Sequence, residues 1–274
     1  MDKMNRCLNI IVYYDNCDEV INYLKDIQST KSYNVDVAIV INSDLKKEFH
    51  LVESYVLGKV ILKVMYFDYG KNIGYLNSML KVIEEVEVDD YSYFILSNTD
   101  IHYVTYKFYE VLVSKKYNES IGCIAPSVFS KKTNSYSNPH YIERINKSKF
   151  KRLLWIFGHP FIARGYLWIS EKKAQKKKDK KRNSCYVYSP HGCFMIFSKN
   201  FIKSISGYYY GAEMYSEESC VGELILQKDK KCFYDSTLEV EHCESSVTGK
   251  INYKMRFNMW RKSIKYILDT YYSE

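Results

Sequence analysis

Residues 91–100 read YSYFILSNTD: a short apolar, aromatic and β-branched run that ends abruptly on Asn98, Thr99 and Asp100. A run of this length bounded by turn chemistry reads as a buried strand, here Tyr91 to Ser97, with its polar cap at the carboxyl end. The preceding residues repeat the pattern. LNIIVYY (Leu8 to Tyr14), VDVAIVIN (Val35 to Asn42) and KVILKVMYF (Lys59 to Phe67) read as strands. Between them stand helical patterns: one capped by Asp18 and reaching about Gln28, one from Leu45 to Leu57, and one from Leu76 to Val86. Near-continuous Val, Ile and Leu strands alternating with helices are what a parallel sheet covered on both faces requires. Ligands of such sheets bind beyond the carboxyl ends of the strands. That directs attention to the loops Tyr13 to Cys17, Asn42 to Asp44 and Asn98 to His102. No G-x-G-x-x-G or Walker-type loop is present, which argues against an ordinary dinucleotide or phosphate-loop fold.

Downstream the pattern changes. IGCIAP (Ile121 to Pro126) reads as a short strand, followed by an irregular region to about Tyr188 and a strand HGCFMIFSK (His191 to Lys199). Glu213 to Lys230 contains a helix, CFYD is a short strand, and Ile251 to Tyr272 reads as a terminal amphipathic helix. The expected organisation is one compact unit with three parts. Residues 1–126 form a nucleotide-type half, residues 127–250 an acceptor-side half with an insertion at 147–182, and residues 251–274 a C-terminal helix.

Composition narrows the class. The chain has 274 residues, 46% hydrophobic and 26% charged, which is ordinary for a globular protein. Its formal charge of +8 is concentrated between Lys172 and Arg182, where KKAQKKKDKKR holds eight basic residues and one acid. The remainder is close to neutral, so the basicity does not describe a nucleic-acid-binding surface. Eight cysteines lie mostly in apolar runs with no C-x-x-C pair, as reduced buried thiols do, and the N-terminus lacks a signal-peptide pattern. Both point to the cytoplasm.

Six pieces in order give the chain a likeness. They are Asn42-Ser43, Asn72-Ile73-Gly74, Asn98-Thr99-Asp100, His191-Gly192 leading to Phe197, Tyr215-Ser216-Glu217-Glu218, and His242. Together, over roughly residues 8 to 250, this set resembles the family 2 glycosyltransferases of the GT-A fold, particularly the rhamnosyltransferase-like and capsule-synthesis members. The resemblance implies an α/β fold of GT-A type, with a mostly parallel central sheet, helices on both faces and an irregular acceptor-side half. It further implies inverting transfer of a sugar from a nucleotide-diphosphate donor to a hydroxyl of a glycan or lipid-linked acceptor in bacterial surface polysaccharide synthesis. Asp100 and His242 would hold Mn2+ or Mg2+. Glu218 would be the catalytic base, with Glu217 assisting or binding the acceptor. Tyr13, Asn42, Asp44, Asn72, Asn77 and Asn98 would surround the nucleotide. The family usually has Asp before the first Asn, whereas Ile41 stands here, so the base is left open.

Elementary chemistry agrees. A departing diphosphate needs its charge stabilised, and a hard cation on oxygen ligands does that. Proton removal from an attacking hydroxyl needs a base, and acids at a helix start are suited to it. Asn72 and Asn77 flank a helix start, where backbone N–H groups attract phosphate or where Asn simply caps. Taken singly each piece has an ordinary alternative: Asn-Thr-Asp as a turn, adjacent acids as dipole partners, a lone His as a surface residue. Paired acids also serve glycoside hydrolases, which have no use for the upstream sheet. A sugar-phosphate nucleotidyltransferase would need a glycine- and arginine-rich loop where Tyr14-Asp15-Asn16-Cys17 stands. A non-catalytic binding protein retaining the fold is the remaining alternative.

The insertion carries an apolar stretch from Leu153 to Ile169, broken by Gly158-His159-Pro160 and Arg164, and then the lysine run. It is shorter than a bilayer-spanning helix. Its two tryptophans and flanking cations fit either a segment lying on an anionic membrane surface or a pair of core-packing helices before a solvated loop.

Overall fold

Alternation along β1 (Cys7–Tyr13) sets the frame: Leu8 and Ile10 face one core, while Cys7, Ile11 and Tyr13 face the other. A strand apolar on both sides is stable only when both faces of its sheet are covered. The computed structural model describes residues 6–30, 34–176, 180–212, 214–244 and 252–273. Within them β1 pairs in parallel with β2 (Val35–Ile41) and β4 (Tyr93–Ser97), and β2 with β3 (Val64–Asp68). Beyond β4 the sheet becomes mixed. It continues antiparallel to β9 (Phe194–Ser198), then β6 (Ile121–Ser130), and β10 (Lys231–His242) parallel to β6. The short β5 (Ile101–Tyr103) closes the path against β10, while β7 (Ser135–Tyr136) and β8 (Cys185–Val187) pair with β6 and β10.

Helices cover both faces. On one side α1 (Cys17–Ser29), α2 (Phe49–Lys59) and α4 (Phe108–Ser114) bury Val20, Tyr23, Val52 and Phe108. The spacing Val20, Leu24, Ile27 is the apolar stripe of an amphipathic helix. On the other side lie α3 (Tyr75–Glu85), α5 (Lys147–Phe157), α6 (Pro160–Lys176), α7 (Lys199–Ser204), α8 (Glu217–Gln227) and α9 (Tyr253–Tyr271). Asp36, buried in β2, is held by Arg6 at 2.6 Å and by the Tyr91 hydroxyl at 2.7 Å, joining the amino ends of the central strands.

Several boundaries differ from expectation. Helix α1 starts at Cys17, so Asn16 takes the capping position and Asp18 lies in the first turn. Helix α2 starts at Phe49 rather than Leu45. The Asp15 carboxylate accepts from Ser43 Oγ and Lys47 N, and Lys46 and Glu48 take left-handed conformations, so turn chemistry overrides apolar spacing there. Lys59 ends α2 instead of opening β3. Pro126 does not end its strand. It stands where the register of β6 with β10 jumps from Asp235 to Glu239, a bulge that tolerates a missing N–H. For the same reason β10 runs twelve residues rather than four. The region expected to be irregular contains β7, α5, α6 and β8, and the break at Gly158 to Pro160 separates the two helices. The strand expected from His191 begins at Phe194, since residues 191–193 form a turn. Expected helix starts at Glu213 and Ile251, and the centre of the lysine run, lie outside the described residues. No helix among the described residues is long and apolar enough to cross a membrane. The eight cysteines are unpaired.

Candidate active site

Strand pairing brings Asp100 and His242 together. His242 ends β10 opposite Ile101 of antiparallel β5, and Cys243 N donates to Asp100 O at 3.0 Å. The side chains meet with His242 Nε2 3.2 Å from Asp100 Oδ1, both largely buried. The loop carrying Asp100 is fixed on two other sides. Asn98 N donates to Cys193 O at 2.9 Å, and Asn16 Nδ2 donates to Thr99 Oγ1 at 2.7 Å.

The turn before β9 adds a second layer. The His191 ring lies 6.0 Å, centroid to centroid, from that of His242 and 5.2 Å from that of His140. Cys193 N donates to His191 Nδ1 at 3.2 Å, which leaves the proton on Nε2. Burial, with His140 and His242 beside it, holds the His191 pKa well below its ordinary value, so the ring is neutral. Gly192 N donates to Glu218 Oε1 at 3.2 Å. A Cβ at Gly192 would lie 2.6 Å from the same oxygen, so only glycine lets this carboxylate close on the turn.

Glu217 and Glu218 open α8 on an unusual turn: Tyr215 and Ser216 both have positive φ, 72° and 60°. Left-handed conformations at non-glycine residues cost on the order of 1–3 kcal/mol each and persist where the surroundings fix them. Here the Tyr210 hydroxyl donates to Tyr215 O, and the Tyr215 ring stacks on Trp260 of α9 at 4.8 Å. Trp260 also stacks on Phe157, the last residue of α5, at 4.8 Å. The two acids are unlike. Glu217 is buried and its Oε1 accepts from Tyr215 N at 2.9 Å; burial and then the adjacent Glu218 push its pKa up to about 8. Glu218 is half-exposed beside Gly192.

The remaining expected residues fall into two groups. Asn98 stands in the Asp100 loop, partly exposed, and Asp44 is exposed after β2. The others are committed within the protein. Asn42 is buried: its Nδ2 donates to Gly74 O and Ser78 Oγ, and its Oδ1 accepts from Ile73 N, so it holds the loop before α3. Asn72 accepts from Gly74 N at 2.9 Å within that loop. Asn77 differs most from expectation. Its amide exchanges two hydrogen bonds, both 2.9 Å, with the backbone of Tyr210, clamping α3 to the segment before α8. The Tyr13 ring is buried edge-on against Phe49, and its backbone carbonyl accepts from Asn42 N.

His191 and Gly192 stand in the sequence only as a piece of the ordered motif set, and Tyr75 carries no motif at all. The Tyr75 hydroxyl is buried without a hydrogen-bond partner, and the acids Glu217 and Asp100 are among the groups that add to burial in raising its pKa. A buried orphan hydroxyl is an opening for a ligand group. Nothing in a chain with 28 tyrosines could have singled it out.

Among the described residues no cluster of three or more His, Cys, Asp or Glu forms a complete metal cage. The Asp100–His242 pair nevertheless fits an ion that takes its other ligands from phosphate and water. Neighbouring donors on an octahedral ion with bonds of about 2.1 Å are roughly 3 Å apart, and the pair's separation matches. One oxygen and one imidazole nitrogen suit Mn2+ at least as well as Mg2+.

No family model matches the chain, and no curated protein matches it in sequence. Solved structures do match it in fold. A mannosyltransferase, PcManGT from Pyrobaculum calidifontis, in complex with GDP-Man and Mn2+, superposes with a TM-score of 0.58 at 10% identity over 88% of this chain and 58% of that one. GalNAc-T7 with UDP, GalNAc and Mn2+ superposes with a TM-score of 0.57 at 10% identity over 97% and 49%. The chain thus spans about half the length of these proteins. The fold is of GT-A type.

Proposed function

We propose that the protein is an inverting glycosyltransferase that moves a sugar from a nucleotide-diphosphate donor to a hydroxyl of a glycan acceptor. The observation that carries the reading is the Asp100–His242 pair at the carboxyl end of a GT-A sheet, one turn away from a half-exposed carboxylate on Glu218. The fold neighbours support it, since both hold Mn2+ together with a sugar nucleotide or its nucleoside diphosphate.

A divalent cation, Mn2+ or Mg2+, bound to Asp100 and His242 would stabilise the charge of the departing nucleoside diphosphate. Asn42 and Asn72 brace the loop before α3 by accepting from the N–H groups of Ile73 and Gly74, and Asp44 and Asn98 stand at the rim of the donor site. Glu218 takes the proton from the attacking hydroxyl as its oxygen bonds to the anomeric carbon and the C–O bond to the diphosphate breaks. Glu217, protonated near neutral pH, holds the turn and presents a neutral carboxyl beside the base. Neutral His191 packs edge-on against the His242 ring. The acceptor is read as a lipid-linked glycan at the cytoplasmic leaflet, in the assembly of a bacterial surface polysaccharide.

The test is metal-dependent donor turnover. A panel of sugar nucleotides with Mn2+ should contain at least one that raises the melting temperature and is slowly hydrolysed. Asp100→Ala should abolish the Mn2+-dependent part of nucleotide binding. Glu218→Gln should keep donor binding and lose transfer by about 10²–10⁴-fold. If no donor binds in the presence of Mn2+, or if Asp100→Ala leaves affinity unchanged, the reading fails.

A further inference from the structure

Helix α6 is built inside out. Its small Ala163 is buried, whereas Phe161 is 89% exposed and Trp168 62% exposed. Seven residues separate the two rings, so both stand on one face, with exposed Ile162 and Ile169 beside them. A soluble helix normally turns its large apolar side chains inward. On α5, Trp155 is 55% exposed and is flanked on the helix surface by the exposed Lys151 and Arg152, four and three residues before it. At the far end, Lys172 and Lys173 follow Trp168 by one turn, and the lysine run continues from them. Within α5 and α6 only Glu171 is acidic. The Arg164 guanidinium lies 5.4 Å from the ring centre of Tyr253, which brings the exposed start of α9 up to the same surface.

We propose that this outward face of α5 and α6 docks on an anionic lipid bilayer. Indole and phenyl rings at a helix surface, framed by cations on long stems, match the boundary between acyl chains and charged headgroups. The rings enter the apolar side while the lysines and arginines reach anionic headgroups. A second copy of the chain fits worse, because self-pairing of the face would set its cations against one another. The inference rests on the glycosyltransferase reading only for its purpose, which is to bring the site to a lipid-borne acceptor.

The experiment is sedimentation of the full chain with vesicles of phosphatidylcholine alone and with added phosphatidylglycerol. The wild type should sediment with the anionic vesicles, less so as salt rises. Phe161→Glu with Trp168→Glu should lower partitioning at least about tenfold, the scale set by two exposed rings losing their burial in lipid. Lys172→Gln with Lys173→Gln should lower it less and flatten the salt dependence. Donor hydrolysis in solution should be the same in all three. The proposal is overturned if wild type ignores anionic vesicles, or if the double ring variant binds them as wild type does. It is equally overturned if that variant instead converts a dimer to a monomer. Vesicle binding by a chain that turns over no donor would sink the catalytic reading and leave the surface intact. Turnover without vesicle binding would do the reverse.

Discussion

Gly192 is where a single atom decides the geometry of the proposed base. With a Cβ 2.6 Å from Glu218 Oε1, either the carboxylate or the turn must shift. Gly192→Ala is therefore expected to fold and to bind donor, yet to lose transfer by one to two orders of magnitude, on the scale of a misplaced reacting group (about 10²-fold). Transfer rates with donor affinity measured alongside would show it, and an unchanged rate would remove Glu218 from the chemistry. Glu217 gives a different signal. Its folded-state pKa, about 8, lies above the ordinary carboxylate value of 4.5. Between those values the unfolded chain has released this proton and the folded chain keeps it, so this residue's contribution to stability falls as pH rises through the window. Glu217→Gln should remove that slope. Its melting temperature relative to wild type should climb between pH 5 and 8, and parallel curves would place an ionised Glu217 in the fold.

At the scale of elements, Asn77 ties α3 to the segment before α8. One side chain on α3 satisfies both the N–H and the C=O of Tyr210, and Tyr210 in turn holds the carbonyl of Tyr215. Asn77→Ala strands two buried backbone groups and should cost about 1–3 kcal/mol of stability per unsatisfied group. It should also loosen the turn that carries the acids, so transfer should fall more than donor binding. Denaturant unfolding together with initial rates would separate the two effects. The same residue shows why elements were easier to read than their contacts. Helix α3 was legible from Leu76, Met79 and Ile83, whose spacing is local information. The partner of Asn77 lies 133 residues away, and no local pattern encodes it. Pro126, and Asp235 at the end of CFYD, read as strand ends for a related reason. A bulge removes the need for the missing N–H, and Asp235 is paired by Lys115 and accepts from the Tyr117 hydroxyl within the strand.

Across the whole molecule, β1, β2 and β4 with their helices could be read from sequence because strands buried on both faces leave near-continuous apolar runs, and the edge strand β3 kept a similar run. The mixed half left shorter signals: in α5 Phe150 and Phe157 are buried while Trp155 is exposed, and in α6 Phe161 and Trp168 point outward, so apolar spacing alone left a surface segment and a pair of packed helices as alternatives. The site followed the same division. Asp100 announced itself at a strand end, while its pairing with His242 depends on β5 and β10 meeting in one register. The row Phe157, Trp260, Tyr215 then joins the docking helices to the turn of Glu218 through stacked rings, with no flexible linker between. A protein seated on a bilayer through α5 and α6 would hold its base at one fixed height above the lipid. The stack would then act as a ruler: it would select acceptors by how far their reactive hydroxyl stands from the membrane, before any sugar is recognised by shape.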